Sequence, residues 1–161
     1  MSGAPMSAKN ATLTFMVGSS KKEFDKILPI LKILGKKIHH IGEFGSGMSV
    51  KVLNNFVASC SVVAVRHVLS EAKNLNITTK QLLNILNCSS GQTWFSENLD
   101  NIDWAKESYT QNNTIAILEK DVKSYLDGLA NSKNKTNSAM VNFQNALIKG
   151  LQNIPKYPNE D

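Results

Sequence analysis

The chain has 161 residues, of which 42% are hydrophobic and 19% are charged, and its formal net charge is +5. These values are typical of a folded globular chain that holds one domain, or one domain with part of another, and they argue against extensive disorder. The lysines are scattered and form no basic stripe interleaved with aromatic residues, so we expect no nucleic-acid partner.

The start of the chain has no signal of a secreted or imported protein. Residues 1–11 contain neither the apolar stretch of a signal peptide nor an Arg-rich amphipathic stretch. We therefore expect a cytoplasmic location, or the mitochondrial matrix if a longer form exists. The longest weakly polar run, Phe56–Val65, is about half as long as a membrane-spanning helix, so we expect no membrane partner.

The first predicted elements are a strand and a helix. Alternation of apolar and polar residues over Ala11–Val17 predicts a β-strand. Ser19 or Ser20 can then cap a helix, because apolar residues recur behind them at helical spacing. These residues are Phe24, Ile27, Leu28, Leu31 and Leu34. Pro29 lies inside this pattern and predicts a kink or a break into two short helices.

A second short strand follows this helix. Gly35 is expected to end the helix, and Ile38–Ile41 are expected to form the strand. Two short strands cannot bury both of their faces or shield their edges. Residues 1–47 are therefore predicted to be the border of a larger α/β sheet rather than a complete domain.

The rest of the chain is predicted to be all-helical. A long helical pattern without Pro or Gly begins at Met48 and ends near Leu75, and its first half is apolar on most sides, which is typical of a helix buried among others. Polar clusters, notably residues 131–137, separate the further helices. These helices are predicted over Thr79–Asn87, Trp94–Asn101, Thr114–Ala130 and Ser138–Gln152. The predicted fold class is thus mostly α with a small α/β strip, and residues 48–161 form the helical domain.

Lys51 and Asn55 are the first candidates for chemistry. They are four residues apart at the start of the long helix, so they project from one face, just after the flexible segment Gly45-Ser46-Gly47. By spacing alone such a pair is usually an ordinary solvated helix face. No metal site is expected, because His39 and His40 on a short strand point to opposite faces and cannot chelate one ion together.

Four segments of the chain share motifs with one enzyme family, in the same order. They are Ser2-Gly3-Ala4 with the strand after it, Gly45-Ser46-Gly47 followed by Lys51 and Asn55, Asn87-Cys88-Ser89-Ser90-Gly91 followed by Trp94, and Lys120-Asp121. They resemble the Ser-Gly-Gly, G-x-G-x-x-x-K-x-x-x-N, N-x-S-S-G-x-x-W and Lys-Asp motifs of the β-hydroxyacid dehydrogenases of the 3-hydroxyisobutyrate dehydrogenase type. The resemblance covers nearly the whole chain.

The resemblance implies a fold and an activity. The chain would correspond to the C-terminal half of such an enzyme: the edge of a Rossmann-type sheet, followed by the all-helical domain of the 6-phosphogluconate dehydrogenase type. The family's G-x-G-x-x-G nucleotide-binding fingerprint lies upstream of its Ser-Gly-Gly motif and has no counterpart in this sequence. The implied activity is hydride transfer between NAD or NADP and a small 3-hydroxy acid, and the helical domain would form a homo-oligomer.

The resemblance also implies residue roles. Lys51 would be the catalytic general acid and base, and Asn55 would bind substrate. Ser2 and Gly3 would give the substrate carboxylate a hydroxyl and backbone N–H groups, in the manner of an anion-binding nest. Lys120 would lie beside the cofactor.

Two departures from the family motifs leave a second interpretation open. Ala4 replaces the second glycine of the Ser-Gly-Gly motif, and Asn112-Asn113 replace a Gly-Phe pair whose ring flanks the nicotinamide. The alternative to an enzyme part is a catalytically inactive truncated remnant, or a dimerisation or interaction module. The sequence does not separate hydroxyisobutyrate, tartronate semialdehyde, succinic semialdehyde and threonate-like substrates, nor NAD from NADP.

Overall fold

The structure is a computed structural model that describes residues 1–130 and 137–158. It has the predicted fold class, a short α/β strip followed by helices. The chain forms two compact units, Met1–Asn54 and Asn55–Asp161. The sequence placed its domain boundary after Gly47, inside what the structure shows to be a helix.

The first unit contains a two-stranded parallel sheet. Strand β1 (Leu13–Gly18) pairs with β2 (Gly35–Gly42), with Phe15 opposite Ile38. Helix α2 (Lys21–Leu34) connects the two strands. Ser20 is the cap of this helix, in a reciprocal capping box with Glu23. Both predicted strands are therefore confirmed, and β2 is longer than predicted because it begins at the glycine that ends α2.

Two features of the first unit differ from the sequence prediction. Helix α1 (Ala4–Lys9) was not predicted, because six residues are too few to display a helical period. Helix α2 is continuous through Pro29, so the break into two helices was wrong. Pro29 lies on an exposed part of the helix, where water can bind the carbonyl group that loses its N–H donor.

The second unit contains most of the helical chain. Helix α3 (Ser46–Ala72) begins in the first unit and continues through the second, ending in a short 3₁₀ turn, Lys73–Leu75. The helix predicted over Trp94–Asn101 is instead one α-helical turn followed by a 3₁₀ turn over Leu99–Asn101. The other helices have the predicted bounds. They are α4 (Thr79–Asn87), α6 (Thr114–Ala130) and α7 (Ser138–Gln152), and the shortened helix between α4 and α6 is α5 (Trp94–Glu97).

The hydrophobic core described for the second unit is formed by α3, α6, α7 and the segment from Phe95 to Ala105. Burial of these apolar side chains is the main favourable contribution to its folding. Its buried members are Val62, Val65, Leu69, Phe95, Leu99, Ala105, Ile115, Leu118, Val122, Leu147, Leu151 and Ile154.

Helix α3 is more exposed than its sequence predicts. Val57 is 64% exposed and Leu53 is 47% exposed, so the first half of the helix is not buried among others. Among the described residues, Ser46–Leu75 is long and apolar enough to cross a bilayer, with a mean hydropathy of 1.5. Length and hydropathy alone are weak evidence, because core helices of globular domains meet the same criterion. The second half of α3 supplies Val62 and Val65 to the core.

A buried arginine joins α3 to distant parts of the second unit. Arg66 is 1% exposed, and its guanidinium donates to the carbonyl oxygens of Ala105 at 2.6 Å, Glu107 at 2.8 Å and Pro155. It also lies against the ring of Tyr157, 5.8 Å from the centroid. Burial lowers the pKa of Arg66. The charge is therefore stabilised by backbone dipoles, which fix the loop before α6 and the C-terminal tail against α3.

A buried carboxylate connects α6 to α7 and to the loop before α6. Glu119 is 5% exposed and accepts hydrogen bonds from Tyr109 Oη at 2.5 Å and Gln152 Nε2 at 2.7 Å. Lys123 Nζ lies 2.5 Å from the same carboxylate. Burial alone would raise the pKa of Glu119, but the hydrogen bonds from Lys123, Tyr109 and Gln152 outweigh it and hold the pKa below its ordinary value.

This lowered pKa makes the stability of the second unit depend on pH. A depressed folded-state pKa contributes stability above the unfolded-state pKa, and that contribution is lost as the pH falls through the folded-state pKa. We therefore expect the free energy of unfolding to decrease from about pH 7 to about pH 3, and to decrease less in Glu119→Gln. Urea titrations of both proteins across this range measure the effect, and equal slopes with pH would contradict it.

Candidate functional site

Lys51 and the start of the chain lie near each other in the first unit. Lys51 is half-buried in the first turns of α3. The ammonium group of Met1 has a lowered pKa, first because it is partly buried and then because the positive charge of Lys51 is close. The N-terminal ammonium group, one residue before Ser2, is therefore within electrostatic range of the predicted catalytic lysine, although they are about fifty residues apart in sequence.

The Ser2–Gly3 segment differs in detail from the predicted anion site. The Ser2 N–H donates to the Thr14 carbonyl at 2.9 Å, and the Thr14 N–H donates to the Ser2 carbonyl at 3.0 Å. This N–H is thus engaged with β1 and is not a donor to a ligand. Gly3 has φ of 137°, a conformation that other residues rarely adopt, whereas Ala4 is the first residue of α1 and needs no such conformation.

Gly18 and Gly47 allow the start of α3 to touch the end of β1. A Cβ at Gly47 would lie 2.2 Å from the Met16 carbonyl oxygen, and one at Gly18 would lie 2.8 Å from the Gly47 nitrogen. Both distances are below van der Waals contact, so two backbones meet here without side chains between them. Gly47 therefore serves backbone packing, and this packing fixes the helical turn that precedes Lys51.

We expect Gly47→Ala to lower the free energy of unfolding by roughly 1–3 kcal/mol, because the added methyl group must displace backbone atoms. Gly128→Ala is the matched control: Gly128 is also helical, but nothing lies within 4 Å of its added Cβ. The control should be neutral or stabilising by up to about 1 kcal/mol, because alanine favours the helix. Chemical denaturation measures both, and equal stability of the two variants would contradict the packing argument.

Asn55 is held by a carboxylate in the second unit. Its Nδ2 donates to Asp121 Oδ2 at 2.5 Å, and Asp121 is 4% exposed. The buried Ser59 hydroxyl donates to the Asn55 carbonyl at 2.7 Å. The predicted substrate-binding amide thus has a fixed orientation, set by a residue 66 positions further along the chain.

Lys120 is exposed on α6, directly before Asp121. Successive residues of a helix point about 100° apart, so the buried carboxylate faces α3 while the ammonium group lies on the flank of α6. The structure therefore places Asn55 and Lys120 on two helices joined by the Asn55–Asp121 bond. The sequence analysis did not predict the hydrogen bond from Asn55 to Asp121. The signal available for it was the acidic residue beside Lys120.

The turn between α4 and α5 is organised by Thr93. Helix α4 ends at Asn87, and the Thr93 side chain caps α5 in a capping box with Ser96. Trp94 is 58% exposed, and its neighbour Phe95 is the core residue. Within residues 1–130 and 137–158, no three His, Cys, Asp or Glu side chains gather closely enough to hold a metal ion.

The sequence matches two family models. Residues 45–150 match the NAD-binding domain of NADP-dependent 3-hydroxyisobutyrate dehydrogenase, and residues 1–42 match the NAD-binding domain of 6-phosphogluconate dehydrogenase.

Curated relatives show the same similarity. The mitochondrial 3-hydroxyisobutyrate dehydrogenase of Drosophila melanogaster is 30% identical over 163 residues, which cover 95% of this chain and 50% of that protein. A probable mitochondrial 3-hydroxyisobutyrate dehydrogenase of Dictyostelium discoideum is 42% identical over 101 residues, which cover 60% of this chain and 30% of that protein. The matched segments thus span half of the Drosophila protein and 30% of the Dictyostelium protein.

Solved structures share the fold. A 3-hydroxyisobutyrate dehydrogenase of Mycobacterium tuberculosis, solved with L-serine, superposes with a TM-score of 0.72 at 22% identity, covering 95% of this chain and 55% of that one. Psf3, solved in complex with NADP+ and 2-OPP, superposes with a TM-score of 0.74 at 14% identity, covering 99% and 55%.

Proposed function

The chain belongs to the NAD(P)-dependent 3-hydroxyisobutyrate dehydrogenase family, and from this premise we propose that it is the C-terminal portion of an oxidoreductase that acts on small 3-hydroxy acids. The observation that most supports this function is the oriented amide of Asn55 on the helix that also contains Lys51. A fixed amide four residues from a lysine is suited to hold a hydroxyl group while its proton moves.

Lys51 is the proposed general acid and base. In the oxidative direction its neutral amine accepts the hydroxyl proton of the substrate. The hydride leaves the carbon that bears this hydroxyl group, and a carbonyl group forms there. NAD or NADP, when bound, supplies the hydride acceptor. Asn55 hydrogen-bonds the substrate, and the Ser2 hydroxyl with the Gly3 segment contacts its carboxylate. The exposed ammonium group of Lys120 suits an anionic dinucleotide, so it is the proposed cofactor-side contact.

A homo-oligomer through the helical domain is also part of the proposal. Val57, Val68 and Phe143 are 64%, 43% and 48% exposed, and exposed apolar side chains of this size are typical of subunit interfaces. Sedimentation equilibrium of the purified chain tests this point: a mass of two or more chains supports it, and a monomer at all concentrations contradicts it.

A chimera tests the enzymatic proposal. The chain would replace the aligned second half of the Drosophila 3-hydroxyisobutyrate dehydrogenase, so that the relative supplies the remainder of the nucleotide-binding half. The chimera is then assayed with NAD and NADP against a panel of small 3-hydroxy acids. Reduction of the cofactor with one of these acids supports the proposal. A folded chimera that binds cofactor without turnover contradicts it.

The second candidate function is a non-catalytic interaction module. It is favoured by α2, where Ile27, Ile30 and Ile33 are 37%, 59% and 72% exposed and leave an apolar surface on the first unit. An NADH and NADPH titration of the purified chain, followed by Trp94 and Trp104 fluorescence, separates the candidates. Saturable binding at micromolar concentration favours the enzyme part, and no binding up to millimolar concentration favours the module.

A further inference from the structure

We propose that Asp121 is a positioning residue. It fixes the side-chain amide of Asn55 so that the amide oxygen, Oδ1, is turned toward the substrate. This inference rests on the proposed function, since it concerns the same site. It assigns to Asp121 a role that differs from contact with a cofactor, because the carboxylate acts on substrate through the Asn55 side chain.

The argument begins with the chemistry of the pair. An ionised carboxylate only accepts hydrogen bonds, whereas an amide has one donor end and one acceptor end. At 2.5 Å from Asp121 Oδ2, the Asn55 side chain must present its NH₂ group to the carboxylate. The opposite orientation would bring two acceptor oxygens together at a destabilising distance. An acceptor oxygen of Asp121 therefore dictates the orientation of the amide.

The surroundings of the pair strengthen this preference. Asp121 is 4% exposed, and a hydrogen bond from a neutral donor to a charged group is stronger where water is excluded. The bond from the buried Ser59 hydroxyl to the Asn55 carbonyl holds the local backbone of α3 as well. Rotation of the amide about its last torsion would break a charge-assisted bond and leave a buried carboxylate with one donor fewer.

The consequence concerns the substrate. With its NH₂ group turned to Asp121, the end of Asn55 that points away from α6 is the amide oxygen. An amide oxygen accepts from a hydroxyl group, which is the functional group oxidised in the proposed reaction. Asp121 thus favours the hydroxy acid over an analogue that offers only an acceptor at this position.

Two variants in the chimera test this role. Leucine in Asp121→Leu has a similar shape but no acceptor, so the Asn55 amide loses its partner. We expect KM for the hydroxy acid to rise about tenfold or more, which corresponds to a loss of about 1.4 kcal/mol in binding. The expected change in kcat is smaller. Asp121→Asn keeps an acceptor oxygen in the same place. We expect its KM to remain within about threefold of the parent, because that oxygen can accept the same Asn55 donor.

The outcomes are separable. An unchanged KM in Asp121→Leu overturns the inference, as does an equal rise in both variants, which would point to charge or folding. An inactive parent chimera contradicts the proposed function itself, and the positioning role with it. If Asp121→Leu does not fold, ¹⁵N NMR of the unsubstituted chain decides. One slowly exchanging, downfield side-chain proton of Asn55 supports the bond, and two rapidly exchanging protons overturn it.

Discussion

Lys51→Ala in the chimera lowers kcat by roughly 10²–10⁴-fold, because the general base that removes the hydroxyl proton is lost. The expected change in KM is smaller, since Asn55 and the Ser2–Gly3 segment remain to hold the substrate. Steady-state kinetics with the preferred 3-hydroxy acid and its cofactor measure both quantities.

Lys51→Arg is the matched control for this prediction. Arginine keeps the positive charge and most of the length, but its very high pKa prevents it from acting as a base near neutral pH. We expect Lys51→Arg to be nearly as slow as Lys51→Ala. Activity of the arginine variant close to that of the parent would mean that the charge alone is needed, which would contradict acid–base catalysis by Lys51.

Arg66→Met lowers the free energy of unfolding of the second unit by roughly 2–5 kcal/mol, because three carbonyl groups lose a charged donor. Methionine fills a comparable part of the buried volume, so the change reports hydrogen bonding more than loss of packing. The carbonyl groups belong to Ala105, Glu107 and Pro155, which lie far from Arg66 in sequence. Chemical denaturation monitored by circular dichroism measures the change.

His67→Ala is the control for the arginine prediction. His67 is the next residue on α3 but is exposed, so its replacement should change stability by less than about 0.5 kcal/mol. If Arg66→Met were as stable as the parent, the buried guanidinium would contribute no more than a hydrophobic side chain of similar size. That result is known for some buried charges and would contradict the role given to Arg66 here.

Local sequence patterns predicted most of the elements of the fold, for physical reasons. Strand β1 (Leu13–Gly18), the Ser20 cap and helices such as Thr79–Asn87 depend on neighbours within a few residues. Helix α1 was missed because it is shorter than two helical turns. The burial of Arg66 was missed because its partners are 39 to 89 residues away, and no local pattern encodes such contacts.

The candidate site was predicted in a similarly uneven way. The spacing of Lys51 and Asn55 suggested one helix face, and only the family resemblance suggested chemistry. The orientation of Asn55 depends on Asp121, 66 residues later, so it required the structure. The Ser2 N–H donates to the Thr14 carbonyl and is therefore not a donor to a ligand. This pairing joins two segments that no motif connects.

Transfer of deuterium by the chimera tests the central claim most directly. A 3-hydroxy acid deuterated at the carbon that bears the hydroxyl group is incubated with the chimera and oxidised cofactor, and the reduced cofactor is analysed by mass spectrometry. The account predicts one deuterium in the NADH or NADPH formed by the parent chimera, and a much slower appearance of that product with Lys51→Ala. A folded chimera that binds cofactor and transfers no deuterium from any acid of the panel would contradict the claim that this chain completes a hydroxy-acid dehydrogenase.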